Sequence, residues 1–90
     1  MIELHAIIKG HVQGVGFRYT VQNYANQMGI FGVVRNLPDG SVELIAQGVQ
    51  EILEKLLEKI REGPGVGRVD SLMIEYTEVK VPYHSFNIVY

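Results

Sequence analysis

Two segments with helical apolar spacing, each set between segments whose apolar residues alternate, leave few folds open to this chain of 90 residues. In the second of them Val49, Ile52, Leu53, Leu56, Leu57 and Ile60 follow i, i+3, i+4, i+7, i+8, i+11 without a miss, which is one stripe of an α-helix. Each of these side chains, fully buried, contributes about 1.5–3 kcal/mol before entropy is counted. The outer surface carries Glu51–Lys55 and Glu58–Arg61 at helical pairing distance, and Glu54, Glu58 and Glu62 recur there as a solvated face. The first helical segment places Phe17, Val21, Tyr24, Ala25 and Met28 on one side, with Gly29 as its stop. Gly63-Pro64-Gly65 ends the second.

The alternating segments read as strands. Ile2, Leu4, Ala6 and Ile8 point one way and Glu3, His5, Ile7 and Lys9 the other. A second strand runs from about Phe31 to Leu37 and a third from Ser41 to Gln47, with Val42, Leu44 and Ala46 on one face. Leu37-Pro38-Asp39-Gly40 joins them: proline fixes φ at the first central position and glycine accepts the left-handed one, so the two strands form a hairpin. A fourth strand covers about Val69 to Tyr76, and a last one Ser85 to Tyr90, with Phe86, Ile88 and Tyr90 alternating. The order is β-α-β-β-α-β plus a terminal strand, an α+β class. With right-handed crossovers the best-known arrangement is the ferredoxin-like split βαβ sandwich, two helices on one face of a mostly antiparallel sheet. Strands one and two are then parallel with strand three between them. The loop after strand one and the C-terminal end of strand two share one sheet edge, about 10 Å apart.

Ninety residues make a single domain, 1–90. The net charge of -2, from 8 Lys+Arg against 10 Asp+Glu, leaves no electrostatic footprint for nucleic acid or an anionic membrane. With no cysteine there is no disulfide, no thiolate metal site and no cysteine nucleophile. His5, His11 and His84 lack ligand spacing, so neither a metal nor a cofactor is expected. No apolar run is long enough to span a bilayer, and Met1-Ile2-Glu3-Leu4 does not open a signal peptide. The expected location is the cytoplasm and the expected state a monomer, with weak self-association as the alternative.

Chemistry concentrates between strand one and helix one, in Gly10-His11-Val12-Gln13-Gly14-Val15-Gly16-Phe17-Arg18. Three glycines let the backbone turn with its N–H groups facing inward, and a helix N-terminus follows, which together suit an anion. Arg18 adds a fixed charge and a planar fork of donors. Without Gly-Lys-Ser/Thr this is no Walker loop, and without a third glycine after Gly14-Val15-Gly16 it is no dinucleotide fingerprint. Asn36 follows Arg35 near the end of strand two, where it serves either as a turn residue ahead of Pro38 or, sharing the sheet edge with the glycine loop, as a carboxamide that holds a water or ligand oxygen.

These two segments resemble the two signatures of the acylphosphatase family. Gly10 to Arg18 matches Gly-x-Val-Gln-Gly-Val-x-Phe-Arg at every fixed position, and Gly32, Val34, Arg35, Asn36, Gly40, Val42 and Gly48 fit the second signature. Val33 stands where the family usually has a bulky aromatic, and His11 where a longer basic residue is common. The resemblance implies hydrolysis of the carboxyl-phosphate bond of small acyl phosphates. It implies that Arg18 binds the phosphoryl group, that Asn36 positions the attacking water, and that the backbone N–H groups of Gln13, Gly14, Val15, Gly16, Phe17 and Arg18 cradle the phosphate oxygens.

Rival readings fare less well. An RNA-recognition motif shares the element order but needs aromatics on the third strand, where Ser41 to Gln47 has none. A regulatory ligand-binding domain needs neither Arg18 nor Asn36, and a metallochaperone would want Cys-x-x-Cys. Acylphosphatase-like modules also begin larger hydrogenase-maturation proteins, and a chain ending at Tyr90 is expected to be the stand-alone enzyme. Tyr19, Tyr24 and Tyr76 are core or rim aromatics in this reading. The last strand runs back towards the active edge. The Tyr90 carboxylate is then either close enough to orient Arg18, or Tyr90 simply packs at a strand end.

Overall fold

The computed structural model describes residues 1–62 and 67–90. Its elements are β1 (Ile2–His11), α1 (Phe17–Gln27), β2 (Phe31–Asn36), β3 (Val42–Gly48), α2 (Gln50–Glu62), β4 (Arg68–Glu78) and β5 (Phe86–Val89). The strands form one sheet in the order β4-β1-β3-β2-β5. Every pairing is antiparallel except β2 with β5, which is parallel. β1 and β2 are therefore parallel about a shared β3, the split βαβ arrangement expected from the element order, with β5 added beyond β2.

The apolar stripes face one another across the layer boundary. Leu4, Ala6, Ile8, Val34, Val42, Leu44 and Ala46 are fully buried on the sheet, and Phe17, Val21, Ala25, Leu53, Leu56 and Ile60 cover them from the helices. Val49, the first of the six periodic residues, precedes α2 and is 62% exposed, so the stripe is effective only from Ile52 onward. Glu54, Glu58 and Glu62 are exposed as expected. Neither Glu51–Lys55 nor Glu58–Arg61 closes into an ion pair among the described residues, because solvent and rotamer entropy offset so exposed a contact. The expected stop at Gly63-Pro64-Gly65 lies outside the described residues.

β3 and β5 differ from the sequence reading by a residue at each end, as Val42–Gly48 and Phe86–Val89, and β1 and β4 depart further. β1 continues through His11 and so takes Gly10 out of the loop and into the strand. The register against β4 shifts between Lys9 and Gly10, and at Gly10 φ is 145°, with a Cβ there lying only 2.0 Å from the Arg68 carbonyl oxygen. Glycine is required by the close backbone approach at this bulge. β4 is also longer than its apolar core suggests. It pairs with β1 from Ile2↔Glu78 to His11↔Arg68, so partner geometry, not its own hydrophobicity, sets its length.

The connection from β4 to β5 carries the chain from one sheet edge to the other, and Gln47 fastens it. Gln47 points away from the helices yet is only 1% exposed. Its Nε2 donates to Glu3 Oε1 at 2.8 Å and to the Val81 carbonyl at 2.9 Å, while its Oε1 accepts the Tyr83 N–H at 2.8 Å. Gln47→Leu removes all three bonds and leaves the two backbone groups of the connection without partners. At roughly 1–3 kcal/mol for each group left unsatisfied, urea unfolding is expected to show a loss of about 2–4 kcal/mol; a variant as stable as the parent would remove Gln47 from this role.

Candidate active site

Past His11 the chain leaves the sheet and turns into α1 through residues 12–16. The buried Val12 anchors the turn in the core. Gly14 and Gly16 adopt left-handed φ of 76° and 80°, which an L side chain rarely tolerates, and Gly16 is the residue that precedes the helix without any side-chain cap. The first backbone bond of the helix is from the Thr20 N–H to the Gly16 carbonyl, at 3.2 Å. Among the described residues no backbone N–H from Gln13 to Arg18 donates to a protein acceptor. The donors gather at the positive end of the α1 dipole, an arrangement suited to an anion.

Arg18 is the second residue of α1, half-buried, and in no ion pair among the described residues. Its guanidinium lies 4.8 Å from the centroid of the Tyr90 ring. Because β5 runs parallel to β2 with Arg35 opposite Val89, Tyr90 arrives beside the end of β2. The group that meets Arg18 is thus the Tyr90 ring, a cation–π contact made by a residue that is itself 93% exposed. Tyr24 and Tyr76 pack against the core, whereas Tyr19 is 60% exposed at the rim.

Asn36 closes β2. It pairs with Val42, which pairs in turn with Ile8. One rung of the sheet therefore carries Asn36 two strand spacings, about 10 Å, from β1 just before it enters the loop. The Asn36 backbone is fixed by the sheet, but its Oδ1 is buried and has no hydrogen-bond partner among the described residues. Buried polar atoms without partners are rare, and each calls for an explanation such as a water or ligand. Val33, in place of the aromatic usual in the second signature, faces away from the helices and is half-buried opposite Ile45, so this substitution does not touch the core.

Two sets of contacts hold this edge that the sequence reading did not single out. The Gln13 side chain donates from Nε2 to the carbonyls of Leu37 at 2.9 Å and Ser41 at 2.8 Å, tying the loop to the hairpin. On the open face of the sheet Glu43 accepts from Arg35 Nε at 2.6 Å and lies 2.8 Å from His5 Nε2, bridging β2, β3 and β1. The Arg35–Glu43 pair was within reach of the sequence, since the hairpin turn places the two residues directly opposite one another. Nothing in the sequence marks the target of Gln13. Inside the turn Asp39 Oδ1 accepts both the Ser41 N–H and its hydroxyl, which holds the Asp39 carboxyl below its ordinary pKa.

Burial pushes the Glu43 carboxyl up, but the hydrogen bonds from His5 and Arg35 outweigh it and hold its pKa below the ordinary range. A carboxyl depressed in the folded state contributes stability that is present above its unfolded pKa and is lost as pH falls through the folded one. Acid titration of unfolding stability is therefore expected to show a decline below about pH 4.3, the ordinary glutamate value, that Glu43→Gln makes shallower. Identical pH slopes for parent and variant would count against the clamp.

The whole chain can be compared with known proteins. The acylphosphatase family model matches residues 4–88. An acylphosphatase of Deinococcus radiodurans is 46% identical over 77 residues, which span 86% of this chain and 88% of that protein. An acylphosphatase of Archaeoglobus fulgidus is 40% identical over 90 residues, the full length of both. The crystal structure of an acylphosphatase from Bacillus subtilis superposes with a TM-score of 0.95 at 36% identity, covering 100% of each chain. The chain belongs to the acylphosphatase family and is an enzyme that hydrolyses acyl phosphates.

Proposed function

We propose that this hydrolysis runs on the backbone N–H groups of Gln13 to Arg18, the Arg18 guanidinium and one water held by Asn36. The observation that carries the reading is that all of these groups are unspent and share one sheet edge: the loop amides have no protein acceptor among the described residues, Arg18 has no ion pair, and the Asn36 Oδ1 has no partner. The amides and the guanidinium fork hold the phosphoryl oxygens, and the carboxamide holds the water on the face of phosphorus opposite the acyl oxygen. The water oxygen bonds to phosphorus as the bond from phosphorus to the acyl oxygen breaks. The carboxylate leaves with that electron pair, and both water protons pass to the phosphate product, which equilibrates with solvent.

So sparse a set suffices chemically. A carboxylic acid has a pKa of about 4, so its anion leaves without a general acid. Phosphoryl transfer has a loose transition state in which position and charge stabilisation dominate. The reading is of a single domain over residues 1–90 that acts in the cytoplasm, and that acts as a monomer because one chain supplies cradle, arginine and asparagine together. The substrate is a small acyl phosphate.

Phosphate release from an aryl acyl phosphate tests the assignment. Arg18→Ala is expected to abolish measurable turnover, since a charge-assisted contact is worth about 1.5–3 kcal/mol in binding alone and more in the transition state. Arg18→Lys is expected not to rescue it, because a point charge lacks the fork; near-parental turnover in the lysine variant would refute bidentate binding. Asn36→Ala is expected to lower turnover roughly a hundredfold while inorganic phosphate still inhibits with an unchanged constant. Loss of that inhibition would make Asn36 a phosphate ligand instead.

No step in this reading uses a metal. Exhaustive chelation is expected to leave turnover unchanged, and a large loss restored by one divalent ion would refute the amide-and-arginine assignment.

A further inference from the structure

The geometry points to the Gln13 side chain as a positioning residue that sets the phosphate cradle against Asn36. This rests on the reading of Asn36 as the residue that holds the water.

A carboxamide nitrogen has two protons to donate, and both are spent here, on the carbonyls of Leu37 at 2.9 Å and Ser41 at 2.8 Å. Those carbonyls are not arbitrary acceptors. Leu37 directly follows Asn36, and Ser41 directly precedes Val42, the residue paired with Asn36. The Ser41 carbonyl also accepts the Leu37 N–H at 2.8 Å. Gln13 therefore grips both arms of the hairpin one residue beyond the Asn36–Val42 rung, across sequence separations of 24 and 28 residues.

With both amide protons engaged, the Gln13 side chain has no donor left for a phosphate oxygen. Its backbone N–H belongs to the cradle, and its side chain joins that cradle to the strand end carrying Asn36. In-line attack needs the phosphorus and the water in a fixed relation. The cradle determines the position of the first and Asn36 that of the second, so an error of about 1 Å between them can cost about a hundredfold in rate. No other side-chain hydrogen bond among the described residues connects residues 12–16 to the hairpin.

The test is a double-mutant cycle on the full chain, read as kcat for an aryl acyl phosphate, the inhibition constant of inorganic phosphate, and thermal unfolding. Gln13→Met keeps the length and removes both donors. It is expected to lower kcat roughly tenfold to a hundredfold with the phosphate inhibition constant little changed. Combined with Asn36→Ala it is expected to cost nothing further, because residues that act as one unit are not additive. If Gln13→Met weakens phosphate inhibition while kcat is kept, or lowers the Asn36→Ala enzyme by the same factor as the parent, the inference is overturned and the assignment of Asn36 stands. If Asn36→Ala alone turns over like the parent, it is the assignment of Asn36 that fails first, and the coupling fails with it.

Gln13→Glu provides a second arm should the methionine variant not fold. Its ionised carboxylate would face two carbonyls, and its protonated form can donate to one of them. Relative to the parent, its kcat is expected to rise as pH falls towards about 4.3, the ordinary glutamate value. A kcat profile parallel to the parent's would overturn the inference.

Discussion

β3 is hydrogen-bonded to β1 on one side and to β2 on the other, and the site depends on that shared pairing. The rung Ile8–Val42–Asn36 fixes where β1 gives way to the amide loop and where β2 delivers its carboxamide. A slip of one residue between β2 and β3 would turn the Asn36 side chain to the opposite face of the sheet, and one between β1 and β3 would bring Leu4, Ala6 and Ile8 out of the core. The buried alternation of Val42, Leu44 and Ala46 opposes that slip, so the same packing that stabilises the sheet holds the catalytic register.

The parts of the fold legible in the sequence are those with a local cause. The stripe of α2, the alternation of β1 and the Leu37–Gly40 turn each follow from spacing or from the backbone preferences of proline and glycine, and each is present, although the stripe starts at Ile52 and β1 runs on to His11. The features that were not legible have distant causes. Gly10 looks like a loop glycine until β4 is seen pressing the Arg68 carbonyl against it. Val49 fits the helical period, but it precedes the helix that would have buried it. Gln47, a polar residue in an alternating strand, reads as surface, yet the β4–β5 connection covers it and uses all three of its bonds.

The site divides along the same line. Its chemistry was legible, because an amide-rich turn followed by Arg18, and an asparagine at a strand end, are local patterns. Its mechanical support was not. Which carbonyls Gln13 would reach depends on the turn 24 and 28 residues away. That the Tyr90 ring meets Arg18 depends on β5 crossing to the far edge to pair with β2, although the direction of the last strand is legible in the sequence.

The support also explains how a buried, unpartnered oxygen is kept at Asn36. Such an atom costs about 1–3 kcal/mol, and a strand end free to move would relieve that cost by rotating or fraying. This strand end is restrained on three sides. β5 pairs with it laterally up to Arg35↔Val89. Glu43 holds the preceding Arg35 from the open face, and Gln13 grips the following Leu37 from the loop. None of the three contacts uses the Asn36 carboxamide, so the backbone is held firmly while the side chain keeps its hydrogen-bonding capacity for a group that arrives with the substrate. Preorganisation of this kind moves the energetic cost of order from the reaction to folding, and the buried stripes of α1 and α2 supply the stability that bears it.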